Sequence, residues 1–126
     1  MTAVHAAENR KLTVTFAGSG DAFGSGGRYQ ACIHIQRPDG FPAVLLDCGA
    51  TSLSALKHLR LDPGAVEAVF VSHLHGDHFG GLPFLILDGQ FSRRTAPLTN
   101  HLSADMLDHP GPVAFQAAHD GLTFTV

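Results

Sequence analysis

Three imidazoles and one carboxylate fall within six positions of this 126-residue chain, in the stretch Ser72-His73-Leu74-His75-Gly76-Asp77-His78-Phe79-Gly80-Gly81. Imidazole nitrogen and carboxylate oxygen are the donors of zinc and of other borderline divalent ions. In an extended segment alternate side chains share a side, so His73 and His75 project together. Leu74 projects the other way, as an anchor in the core. Gly76 permits a sharp turn. Asp77 and His78 then come from the start of a helix and face a second position close to the first. Gly80 and Gly81 remove side chains where that helix and the preceding strand pack. Each residue also has a plain reading, Asp77 as a helix N-cap and any one His as a satisfied core residue. With nine His and nine Asp in the chain, chance fills all four positions in on the order of one such chain in 300.

Such a site needs elements to carry it, and the flanking sequence supplies them. Lys11 to Ala17 alternates, with Leu12, Val14 and Phe16 on one side, and predicts a half-buried strand. Gly18 to Gly27 is a glycine-rich loop. Ala31 to Gln36 and Ala43 to Leu46 predict two further strands, joined by a turn at Arg37-Pro38-Asp39-Gly40. A helix follows, capped by Thr51 or Ser52, with Leu53, Leu56 and Leu59 at helical spacing and a stop at Asp62-Pro63-Gly64. Val66 to Val71 is a continuous apolar strand that delivers the His-rich segment. Phe79 to Leu87 then suits a helix, with Pro83 in its first turn and Gly89 at its end. Beyond Ser92 the pattern weakens. Ala96 to Thr99 is short for a strand, His101 to Leu107 suits the opening of a helix, and Val113 to His119 and Leu122 to Val126 read as strands around an Asp120-Gly121 turn. Strands separated by helices make this an α/β chain of one domain.

Composition excludes several classes. Hydrophobic residues make up 44% and charged residues 15%, with a formal net charge of −3, so the chain is globular and has no positive field for nucleic acid or anionic lipid. No apolar run is long enough to cross a bilayer, and the first ten residues are no secretory signal. The expectation is a soluble cytoplasmic protein in which Cys32 and Cys48 are reduced, partly buried thiols.

His73 to His78, HLHGDH, resembles the His-x-His-x-Asp-His signature of the metallo-β-lactamase-fold hydrolases. The resemblance extends to Gly18-Ser19-Gly20 after the first strand and to Leu46-Asp47-Cys48-Gly49 before the first helix. The GSGDAFGSGGR run is most similar to the branch containing ribonuclease Z and related phosphodiesterases. It implies an αββα sandwich, two packed sheets flanked by helices, with one or two metal ions at one edge, usually zinc, with iron or manganese as alternatives. Carried over by position, His73 and His75 bind the first ion, and Asp77 and His78 the second. Asp47 is either a group that orients the loop or a ligand, or a capping Asp. The chemistry expected is attack by a metal-bound hydroxide on an ester or phosphodiester-type substrate, a small molecule, with Asp77 aiming that hydroxide.

The tail carries a second resemblance. His101-Leu102-Ser103 is similar to the family segment whose late His completes the second ion's ligands; the plain reading is a surface His near a helix start. His109 and His119 are substitutes. Between the two resemblances the family carries most of a second αβ half, including another His and a bridging Asp. Here only Gly89 to Asn100 intervenes. The chain therefore reads as a shortened sandwich, an N-terminal half plus a C-terminal end joined near Asn100. Two functions follow: a metal-dependent hydrolase, or a non-catalytic metal-binding relative with an incomplete site. A shortened fold also leaves sheet surface open to self-association.

Overall fold

The computed structural model describes residues 11–38, 40–92, 99–101, 114–116 and 121–123. Six strands form one mixed sheet: β1 (Thr13–Gly18), β2 (Cys32–Gln36), β3 (Ala43–Leu46), β4 (Val66–Phe70), β5 (Thr99–His101) and β6 (Ala114–Gln116), adjacent in chain order. β1–β2 and β2–β3 are antiparallel; β3–β4, β4–β5 and β5–β6 are parallel. Helix α1 (Ser52–His58) crosses from β3 to β4, and α2 (Gly76–Phe79) and α3 (Leu82–Phe91) follow β4. This is the expected α/β arrangement.

The parallel crossovers from β3 to β4 and from β4 to β5 step in the same direction across the sheet. Right-handed connections stepping one way lay their helices on one face. The core sits between that face and the helices: Ala17, Cys32, Leu45 and Val69 from the sheet meet Ala55 and Leu56 of α1 and Leu82 and Leu85 of α3. Cys32 and Cys48 are free and fully buried. Burial pushes their thiols up to about 11 and about 12, so neither is a ready thiolate.

The register assigns the opposite face. Val14 aligns with Ile35, Val44 and Ala68; Phe16 aligns with Ile33, Leu46 and Phe70. The side of β1 expected to be half-buried is on this face and open, with Leu12, Val14 and Phe16 at 60%, 53% and 66% exposure. Alternation placed these three on one side correctly, but the helices cover the other.

Other local expectations are corrected in detail. Thr51 sits at the N-cap position of α1, but its hydroxyl accepts from the Gln30 N–H at 2.8 Å instead of capping the helix. The helix expected over Phe79 to Leu87 is two helices, and Gly89 lies within α3, which runs on to Phe91. Thr99–His101 is a strand, and the helix expected from His101 to Leu107 lies, beyond His101, outside the described residues. Most of the expected Asp120-Gly121 hairpin and His109 and His119 lie outside the described residues.

One buried polar group sets a pH dependence. His34 lies on the helix-covered face, 2% exposed, and its Nδ1 has no partner among the described residues. Burial lowers its pKa below the ordinary value. The unfolded chain then binds a proton that the folded chain refuses. Stability is full above the unfolded pKa of about 6.5 and falls as the solution is acidified through it, by about 1.4 kcal/mol for each unit of depression. Urea midpoints at pH 7.5 and pH 5.0 are expected to show this loss, and His34→Leu to reduce it. Equal slopes in the two proteins would remove His34 as its source.

Candidate metal centre

The His-rich segment leaves the C-terminal end of β4 and turns into α2. His73, Leu74 and His75 are exposed, and Asp77 and His78 are half-buried at the start of α2. The extended segment does bring its imidazoles together: the ring centroids of His73 and His75 are 4.6 Å apart, and those of His73 and His78 are 4.0 Å apart. Leu74 is 44% exposed and does not anchor the segment in the core. Anchorage comes from the backbone instead. Cys48 N donates to the His78 carbonyl at 2.7 Å, and Gly81 N donates to the Cys48 carbonyl at 2.9 Å.

Asp47 organises the cluster. Its carboxylate accepts from the Ser72 N–H at 2.7 Å and the Ser72 hydroxyl at 2.8 Å, and it lies 2.7 Å from His78 Nδ1. Partial burial alone would raise the Asp47 pKa; the bonds from His78 and Ser72 together hold it below the ordinary value. An ionised carboxylate only accepts, so His78 Nδ1 carries the hydrogen and Nε2 faces away from Asp47. Ser72 Oγ lies 2.9 Å from His73 Nδ1 in the same way, leaving His73 Nε2 outward. Asp47 holds φ at 61°, in the left-handed region. Asp is among the few residues that adopt it at low cost. The expected alternative, a capping role for Asp47, gives way to this bonding.

The donor set fits a divalent ion in chemistry, and one pair fits in spacing. His78 Nε2 and Asp77 Oδ2 are 3.3 Å apart. Two donors each about 2.1 Å from one ion at a near-tetrahedral angle are separated by about that distance. Among the described residues, however, no three His, Cys, Asp or Glu side chains are arranged to hold one ion. His101 ends β5 in register with Phe70, so its backbone lies at the sheet edge from which the His-rich segment departs. The sequence pattern pointed to His101 without a strand to carry it; parallel pairing with β4 supplies that strand. Ser72, the residue that links Asp47 to His73, was not singled out by sequence reasoning, because its role depends on a partner 25 positions away.

Known proteins with this pattern share the fold. A Ribonuclease BN from Escherichia coli O7:K1 (strain IAI39 / ExPEC) is 39% identical over 67 residues, 53% of this chain and 22% of that protein. The crystal structure of the short form of human tRNase Z superposes with a TM-score of 0.65 at 32% identity, over 78% of this chain and 37% of that one. The metallo-β-lactamase-fold protein YhfI from Bacillus subtilis superposes with a TM-score of 0.73 at 24% identity, over 91% of this chain and 48% of that one. The chain thus spans about a fifth of the curated relatives' length and less than half of these two structures. The family model described as anti-Pycsar protein Apyc1 matches residues 12–108, which cover every strand from β1 to β5 and the whole His-rich segment. The fold, the ribonuclease Z-like branch and that match agree: the chain belongs to the Apyc1 family of metallo-β-lactamase-fold proteins.

Proposed function

We propose that this chain carries the metal-binding half of a hydrolase of phosphodiester-type bonds. The observation that carries the reading is the packing of the His73, His75 and His78 rings at 4.0–4.6 Å, with His78 held by Asp47. His73 and His75 would hold one ion, and Asp77 and His78, with His101 arriving from β5, a second. Zinc suits these donors; iron and manganese take them too. Such an ion, when bound, lowers the pKa of water and polarises a phosphoryl oxygen. The chain's own groups do the rest. Asp47 and Ser72 fix the ring orientations of His78 and His73, and Asp77 accepts a hydrogen bond from the attacking water and aims it. The likeness to Ribonuclease BN and tRNase Z supports the phosphodiester class. The net charge of −3, with eight Lys and Arg in all, favours a small substrate over a polyanionic chain.

A second reading rests on the lack of three convergent donors among the described residues: a relative that binds metal without turnover. One experiment separates them. The purified chain is assayed for metal content and for hydrolysis of bis(p-nitrophenyl) phosphate, with and without chelator. Chelator-sensitive turnover, lost by more than about 100-fold in His73→Ala or His78→Ala, is the expected result. Zinc bound without turnover selects the second reading, and neither metal nor turnover ends both.

A further inference from the structure

We propose that Phe23, on the glycine-rich loop between β1 and β2, is a specificity-determining residue that stacks on a flat aromatic ester group of the substrate; this rests on the proposed phosphodiester function. Strand directions place the loop. β1, β3, β4 and β5 all run the same way, since β1–β2 and β2–β3 are antiparallel and β3–β4 and β4–β5 are parallel. The loop therefore leaves β1 at the edge where Asp47 and the His-rich segment follow their strands and His101 ends its own. Close packing fixes it there. Gln30, at the end of the loop, donates its N–H to Thr51 Oγ1 at 2.8 Å, and its side-chain oxygen accepts from the Ala50 N–H at 2.7 Å. A Cβ on Gly49 would stand 2.6 Å from the Gln30 Cβ and 2.3 Å from the Asp77 carbonyl oxygen, so one glycine separates the base of the loop from the candidate ligand Asp77.

A single exposed apolar side chain is ordinary on any surface. Three features set Phe23 apart. It is 92% exposed, and no ring or guanidinium lies against it among the described residues. Its backbone is held although its side chain is not. The Asp21 carboxylate accepts from the Phe23 N–H at 2.9 Å and from the Ser25 N–H at 3.1 Å, and Gln30 Nε2 donates to the Ala22 carbonyl at 3.4 Å. A ring on a fixed backbone loses little further freedom when a ligand stacks on it. The third feature is that the loop has few donors left for a phosphate. Glycine-rich loops hold phosphate through free N–H groups. Here those of Phe23 and Ser25 go to Asp21, and that of Gly27 goes to the Gly24 carbonyl at 3.0 Å. The loop presents an aromatic face instead, which suits a flat apolar group. Leu74, 44% exposed between His73 and His75, adds apolar surface at the same edge. An edge that holds the ions of a hydrolase must stay open to its substrate, and Phe23 belongs to the loop at that edge, not to a strand face.

The test uses the full 126-residue chain and reads binding by backbone amide NMR. Diphenyl phosphate is expected to bind about 5–10-fold more tightly than dimethyl phosphate, with the largest shifts at Ala22 to Gly27. Phe23→Ala is expected to remove that preference and Phe23→Tyr to keep it, and neither to change the melting temperature. Phe91→Ala removes an 85% exposed ring at the end of α3 and is expected to leave the preference intact. Equal affinities for the two diesters in the wild-type chain overturn the proposal, as does a failure of diphenyl phosphate to bind. So does a preference that survives Phe23→Ala, or one that Phe91→Ala removes equally. A melting temperature lowered by Phe23→Ala makes the ring a packing group and overturns it too. A chain that binds diphenyl phosphate through Phe23 and cleaves nothing ends the hydrolase reading and keeps this one. Turnover with equal affinities for the two diesters does the reverse.

Discussion

Replacing Gly81 with alanine is expected to lower stability by about 3–5 kcal/mol, read as a fall in the urea midpoint at unchanged m. A Cβ at Gly81 would stand 2.0 Å from the Gly49 carbonyl oxygen and 3.0 Å from that of Cys48. Both are backbone atoms, so no rotamer change relieves the overlap. The Gly81 backbone is ordinary right-handed helix, φ −85° and ψ −10°, so alanine brings no conformational strain and the whole effect is contact. The Gly49 side of the crossing is equally tight, with a Cβ there 2.3 Å from the Asp77 carbonyl oxygen. The Asp47-Cys48-Gly49 loop and the start of the helices are thus interlocked through their main chains. Against total stabilities of about 5–15 kcal/mol, the loss is a large fraction. Gly76→Ala is the control. A Cβ there meets nothing within 4 Å, and its φ is not positive, so the change is expected to stay within about 0.5 kcal/mol. Gly76 begins α2 without the left-handed φ that would require a glycine there. Equal midpoints for Gly81→Ala and wild type would show that the two segments are not interlocked.

Asp47→Ala is the second large effect, and it acts on the candidate metal centre. The change removes the acceptor of the Ser72 N–H, the Ser72 hydroxyl and His78 Nδ1. Groups that hold a ligating His typically contribute 10–100-fold to metal affinity, and that loss of zinc affinity is expected here, measured by competition with a chromophoric chelator. Stability is expected to fall as well, by about 2–4 kcal/mol, since charge-assisted hydrogen bonds are the stronger class. Part of that fall is backbone strain, because alanine pays about 1 kcal/mol for the left-handed conformation held at φ 61°. Asp47→Gly separates the parts. It relieves the strain and still lacks the acceptors, so stability should recover partly while zinc affinity stays low. Asp47→Asn keeps one acceptor oxygen and should fall between wild type and alanine. Unchanged zinc affinity in all three would remove Asp47 from the centre and leave it a structural loop residue.

The legibility of this chain divides by sequence distance. The bounds of β2 and β3 and the start of α1 match the local alternation and turn chemistry within a residue or so. The pairing of His73 with His75 follows from two-residue periodicity alone. β5 was not legible. Thr99, Asn100 and His101 carry no periodic signal, and they form a strand because β4 offers Ala68 to Phe70 as a parallel partner some thirty positions earlier. The side of β1 that is covered was not legible either. Alternation says that Leu12, Val14 and Phe16 share a side, but not whether helices lie over it.

By itself the sequence determined the family, the α/β class and the candidate donors His73, His75, Asp77 and His78, because each depends on residues a few positions apart. The tertiary structure decided the rest. It joined Asp47 to His78 across 31 positions, brought the backbone of His101 beside the end of β4, and packed α1 and α3 on one face of the sheet while Leu12, Val14 and Phe16 stay exposed on the other. Those outcomes depend on strand register and on the handedness of the crossovers, which are set only when distant segments meet.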